Sequence, residues 1–194
     1  MKIKNLLLIL GLLLVLMLTP VRAEQGDSYR SLTSEQKSLL NQAYHYGSKF
    51  DLGYSLAAIA WQESFVGDRV VYLNMQDPSA GLWHKQINYA LRYFDIKETG
   101  LEINRMAQHL IDNMDFAAAL AVADVLYWLD IHDDNWPRAW ASYNAGYNYN
   151  SKAGKAYSRQ IVMKVKKLKF LHPFDDEAPS TNIEISNTPV SPKK

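Results

Sequence analysis

Glu63 is the residue of this sequence best placed to do chemistry. It ends an apolar run, Leu56-Ala57-Ala58-Ile59-Ala60-Trp61-Gln62-Glu63-Ser64, and two glycine-punctuated segments follow. These are Pro78-Ser79-Ala80-Gly81-Leu82-Trp83-His84 and Ala141-Ser142-Tyr143-Asn144-Ala145-Gly146. A carboxyl enclosed by apolar walls holds its proton at neutral pH because burial disfavours the charged form. Such a group can protonate a glycosidic oxygen as it leaves. Ile59, Trp61 and Phe65 are the candidate walls. On helix position alone, Glu63 reads as an ordinary helix-end acid or a partner for Arg69. The two later segments reverse that reading.

The elements that must position these residues are helical. Thr33-Ser34-Glu35-Gln36 is a helix start, with Thr33 or Ser34 able to cap, and Leu39, Leu40, Ala43 and Tyr46 form the apolar face behind it. Asp51 is the expected cap of a second helix, Leu52 to Phe65, on which Leu56, Ile59, Ala60 and Glu63 share one face. An ionisable group thus stands where an apolar one belongs. Residues 67–80 read as an irregular loop carrying Asp68 and Asp77. Helices are expected over 82–94, 101–113 and 116–128, the last apolar almost all round, as a buried central helix would be. Pro137 fits the first turn of another helix, Gly146 opens a loop, and Tyr157, Ile161, Val162, Val165 and Leu168 line a final amphipathic helix. No strand or internal repeat is evident, so the fold class is mainly α.

The chain has 194 residues, enough for one domain with decorations. Residues 1–23 resemble a secretory signal: Lys2 and Lys4, then Leu6–Leu18, then Val21-Arg22-Ala23 as a small-residue cleavage site. An uncleaved anchor is the alternative, but the apolar stretch is shorter than the ~20 residues of a spanning helix. Export to the periplasm or cell envelope is therefore expected. Residues 24–32 are a flexible lead-in, 33–170 the domain, and 171–194, with four of the seven prolines, a disordered tail. The absence of cysteine removes disulfides, thiolate chemistry, Cys-based zinc and lipoprotein acylation. Charge is nearly balanced, +1 for the whole chain, which does not suit a nucleic-acid binder. The cations are nevertheless concentrated: Lys152, Lys155, Arg159, Lys164, Lys166, Lys167 and Lys169 lie in a stretch without acids.

In their order and separations, Glu63-Ser64, Gly81-Leu82-Trp83-His84 and Ser142-Tyr143-Asn144-Ala145-Gly146 resemble the motifs of the lytic transglycosylases. In that family a Glu-Ser pair ends a helix, a Gly-Leu-Met-Gln segment follows, and an Ala-Tyr-Asn-Ala-Gly segment comes later. The likeness covers about Thr33 to Phe170. It implies a lysozyme-like single helical domain with a glycan-binding groove, and cleavage of the bond from N-acetylmuramic acid to N-acetylglucosamine in peptidoglycan. Glu63 would be the sole acid and base: it protonates the leaving oxygen, then takes a proton from the muramoyl C6 hydroxyl, which closes a 1,6-anhydro ring. The substrate's acetamido group shelters the positive charge between the two steps. One carboxylate then suffices where other glycosidases use two. Tyr143 would hydrogen-bond at or near Glu63, and Ser64 and Asn144 would shape the site. Gly81 would bring backbone close to a sugar, or simply allow a tight turn.

The sequence departs from the family pattern in three places. Trp83 stands for Met and His84 for Gln; Trp83 can stack on a pyranose or belong to the core, and His84 can donate a hydrogen bond. The loop after Glu63 is longer and brings Asp68 and Asp77, either of which could activate water and make a hydrolytic muramidase. An acid-Thr pair usual before the last helix is absent; Tyr157-Ser158 is the nearest match. Tyr147, Tyr149 and Trp140 either line the groove or pack. His45, His84, His109, His132 and His172 lack metal-ligand spacing, and Asp130, Asp133 and Asp134 lack that of a calcium loop, so no metal or cofactor is expected. The expected partners are peptidoglycan glycan strands and a cell-envelope secretion or conjugation machine. A catalytically silent glycan-binding or scaffold protein is the competing class.

Overall fold

The computed structural model describes residues 28–72 and 78–175, with backbone alone at 71 and 72. The expected signal segment, Asp77 and residues 176–194 lie outside the described residues. The chain divides into two units, Met1–Ser34 and Glu35–Lys194. In the first, Tyr29–Ser31 make a 3-10 turn, with Ser31 N–H donating to the Ser28 carbonyl at 2.9 Å.

Seven α-helices follow among the described residues: α1 (Ser34–Ser48), α2 (Gly53–Ser64), α3 (Ile87–Tyr93), α4 (Gly100–Asp112), α5 (Met114–Ile131), α6 (Trp136–Ala145) and α7 (Lys152–Leu171). Four of the helix starts are capped by short polar side chains, as their sequences require. Thr99 Oγ1, Asn113 Oδ1, Asn135 Oδ1 and Ser151 Oγ each accept from a backbone N–H three residues on. Asp51 does not cap α2. It takes a left-handed conformation, φ 58°, and Leu52 occupies the cap position without a side-chain bond.

The central helix is α2, not α5. Every residue from Ser55 to Trp61 is buried, whereas α5 leaves Leu126 and Ile131 about two-fifths exposed. The small residues Ala57, Ala58 and Ala60 let neighbours approach closely; α7 packs along α2 and α6, and α5 packs against α6. Burial of Leu56, Ile59 and Trp61, each contributing about 1.5–3 kcal/mol, holds the helix that carries Glu63.

A small sheet replaces the expected loop and the first turn of the expected 82–94 helix. Strands β1 (Val71–Tyr72), β2 (Ser79–Ala80) and β3 (Lys85–Gln86) run antiparallel in that order, with Val71 opposite Ala80 and Ala80 opposite Lys85. Two-residue strands have no alternation to read, so sequence periodicity is silent about them. At the other end, α7 continues to Leu171, and Phe174 is buried with its ring stacked on Tyr44 at 4.1 Å. The packed chain thus reaches beyond the boundary expected at 170.

Candidate active site

Glu63 occupies the last turn of α2, its side chain 17% exposed. Directly after it the chain reverses through three residues with positive φ: Phe65 (53°), Val66 (56°) and Gly67 (89°). Left-handed backbone is costly for a β-branched residue, about 1–3 kcal/mol, and Val66 is kept there by complete burial. Ser64 ties the reversal down. Its hydroxyl donates to the Leu82 carbonyl at 2.7 Å and accepts from Gly67 N–H at 3.0 Å. Ser64 is fully buried, so it holds the second motif against the first and does not reach a substrate.

The second motif is likewise turned inward. At Gly81, φ is +81° and an added Cβ would stand 2.4 Å from the Leu110 carbonyl oxygen. The glycine therefore permits close approach to α4, not to a sugar. Trp83 is fully buried and its indole N–H donates to the Leu56 carbonyl at 3.0 Å. It is a core residue and cannot stack on a pyranose. His84, in contrast, reaches Glu63: Nδ1 lies 3.5 Å from Oε2.

The protonation pattern of His84 follows from its other contact. Nε2 is 2.5 Å from the Arg69 carbonyl oxygen, which can only accept, so Nε2 carries a proton. Nδ1 of the neutral ring would then present a lone pair to Glu63. The contact is favourable only with a proton between Oε2 and Nδ1, on the acid or on the ring. Arg69, the alternative partner for Glu63, lies with its guanidinium over the Phe65 ring, 5.9 Å from the centroid.

The other carboxylate oxygen belongs to the last helix. Tyr157 Oη donates to Glu63 Oε1 at 2.5 Å. Burial holds the Tyr157 phenol well above its ordinary value, helped by the charge of Glu63, so the group is a neutral donor. Tyr143, expected to hydrogen-bond at or near Glu63, donates its hydroxyl to the Trp83 carbonyl at 3.0 Å, close enough for the charge of Glu63 to act on it. Burial, then the charges of Asp124 and Glu63, push the Tyr143 phenol up as well. Nothing in the sequence joins Tyr157 to Glu63, because that pairing depends on how α7 crosses α2.

Beside this group lies a cleft of about 490 Å³. His84 and Tyr143 are on its wall, together with Tyr89, Trp128, Asn144 and Tyr147. Glu63 is not among the lining residues; the cleft meets it through His84 and Tyr143. Tyr147 is 59% exposed, its hydroxyl 2.5 Å from that of Tyr127 and its ring edge-on to Trp128 at 5.1 Å. Gly146 takes φ 56° and ψ −138°, outside the range of L side chains, and turns the chain from α6 toward Tyr147. Trp140 is a core residue, with its indole N–H on Ser55 Oγ, and Tyr149 packs edge-on to His132 at 4.6 Å.

Sequence reasoning missed the cleft's charged pair. Lys85 and Asp124 form a salt bridge, their side chains 5% and 17% exposed, and the ammonium also sits 4.7 Å from the Tyr143 ring centroid. Lys85 could not be singled out among 21 cations, because only the β-bridge to Ala80 turns it inward. Asp124 carried one legible signal: it is the acid in the middle of α5, where Asp115 and Asp130 lie in the end turns. Asp68 is exposed. Among the described residues no three His, Asp or Glu side chains form a metal-ligating group.

No family model matches the chain, and no solved structure matches it. It is similar to an uncharacterized 20.7 kDa protein from the vs–regB intergenic region of Enterobacteria phage T4. Identity is 28% over 167 residues, covering 74% of this chain and 85% of that protein.

Proposed function

We propose that this protein is a peptidoglycan lytic transglycosylase, exported to the periplasm or cell envelope, with Glu63 as its single acid and base. One observation carries the reading most. A carboxyl largely withdrawn from water is gripped on one oxygen by a neutral phenol, and its other oxygen adjoins a histidine on the wall of an aromatic cleft. Tyr157 fixes Oε1, so the transferable proton belongs on Oε2, on the side of His84 and the cleft. For the leaving glycosidic oxygen to take it, the bound glycan must come past His84 to within hydrogen-bond reach of Oε2. The resulting carboxylate then accepts the proton of the muramoyl C6 hydroxyl as that oxygen attacks C1. The C1–O bond to the leaving sugar breaks and the C1–O6 bond forms, with no water consumed.

The cleft supplies what a glycan needs. Tyr89, Trp128 and Tyr147 offer aromatic faces and edges, while Asn144, Gln86 and Arg92 offer hydrogen bonds at its rim. The glycan strand is therefore the proposed substrate and principal partner, within a machine that opens the wall locally.

Hydrolysis has one observation in its favour: Asp124 is a second carboxylate on the cleft wall. Its salt bridge to Lys85 engages it, which favours the intramolecular reaction. Digestion of purified wall by the protein, followed by mass spectrometry, separates the two. Anhydro-ended muropeptides that disappear in Glu63→Gln support the proposal; reducing ends support hydrolysis. Undiminished lysis by Glu63→Gln removes Glu63 from the chemistry.

A further inference from the structure

We propose that the outward face of α7 docks on an anionic phospholipid surface. Lys152, Lys155, Arg159, Met163, Lys166 and Phe170 follow one another in steps of three or four residues, and all are exposed. That spacing puts them in a single stripe along the helix. The opposite face, with Tyr157, Ile161, Val165 and Leu168, is buried in the fold, so the stripe is presented rigidly.

Two properties of the stripe select the partner. It is of one sign, with no acid anywhere between Ser151 and Phe174, so its field attracts anions along the whole helix. Within it stand two large apolar side chains with no fold-given reason to face water: Met163 is 61% exposed and Phe170 89% exposed. A soluble polyanion would neutralise the cations and leave Met163 and Phe170 wet. An anionic bilayer satisfies both, taking the apolar groups into the headgroup boundary while the long cationic side chains keep their charges among the phosphates. No helix among the described residues is long and apolar enough to cross a membrane, and α7 would lie along the surface.

The chain contains no cysteine, so a nitroxide on a single introduced cysteine reports one position cleanly. The probe is the full chain with Met163→Cys labelled, on vesicles of phosphatidylcholine with a third phosphatidylglycerol, at about 0.1 M salt. The label is expected to become accessible to oxygen and shielded from a water-soluble nickel chelate. A label at Arg105→Cys, on the exposed part of α4, stays aqueous. Replacing Lys155 and Lys166 together by Gln is expected to weaken the insertion reported by the label about 30-fold, and Phe170→Ser weakens it further. The proposal is overturned if the label at 163 remains accessible to nickel on vesicle-bound protein, since attachment then uses another part of the chain. It is equally overturned if the two charge removals leave the insertion unchanged. Neither outcome bears on Glu63, so the enzymatic reading stands or falls separately.

Discussion

Two carboxylates serve this domain under opposite conditions. Asp124 is neutralised by Lys85, a full charge buried on two aromatic rings. Glu63, with the same 17% exposure, is held by a neutral phenol and an imidazole. Asp124, tied to the Lys85 ammonium, forms part of the cleft wall. Under the proposed function, the company of Glu63 is what lets it give up and retake a proton. The contrast lies in the company each carboxylate keeps, since the two are equally buried.

The largest effect expected from this contrast is chemical. Glu63→Gln keeps the volume and an acceptor for Tyr157 but cannot transfer a proton. Wall lysis is expected to fall about 10²–10⁴-fold with the melting temperature little changed; a coincident large loss of stability would reduce Glu63 to a structural role. Asp124 should behave the other way. Lys85→Met leaves a shielded carboxylate unpaired and is expected to cost about 3 kcal/mol in denaturant unfolding. Adding Asp124→Leu should restore most of that loss, and a double variant no more stable than the single would break the pairing argument.

Tyr157→Phe sharpens the comparison from the side of the donor. Losing this hydrogen bond is expected to cost about 0.5–1.5 kcal/mol and to lower activity. The wild-type phenols also predict a pH dependence. Tyr143 and Tyr157 are both held well above their ordinary value by burial, so the folded chain keeps protons the unfolded chain releases. Stability should therefore be intact below about pH 10 and decline as pH rises beyond it. Tyr157→Phe should flatten that decline.

The smallest effect concerns His132. Burial, then the charge of Arg138, lowers its proton affinity, and Nε2 lies 2.8 Å from Ser142 Oγ at the head of the third motif. The unfolded chain thus binds a proton here before the folded one does. Stability should be full above about pH 6.5 and fall as the pH drops below it. His132→Asn should remove that increment from the acid limb of a melting-temperature profile.

The helices were legible because their causes are local: Pro137 in a first turn and apolar stripes of helical period. The position of Glu63 at the end of a buried helix was legible for the same reason. Its partners were not. Tyr157 and His84 arrive through the crossing of α7 over α2 and through a three-strand sheet of two-residue strands, neither of which leaves a periodic trace. Trp83 and Gly81 misled in an instructive way. A tryptophan and a glycine in a site motif suit a sugar, but here one fills the core and the other lets β2 approach α4.

The bond between Tyr157 and Glu63 joins positions 94 residues apart. During synthesis α2 leaves the ribosome long before α7, and a nascent chain holds the acid without its phenol. The working arrangement comes into being only when that late helix settles against the early one. Under the proposed function, activity against the wall would therefore await the last helix.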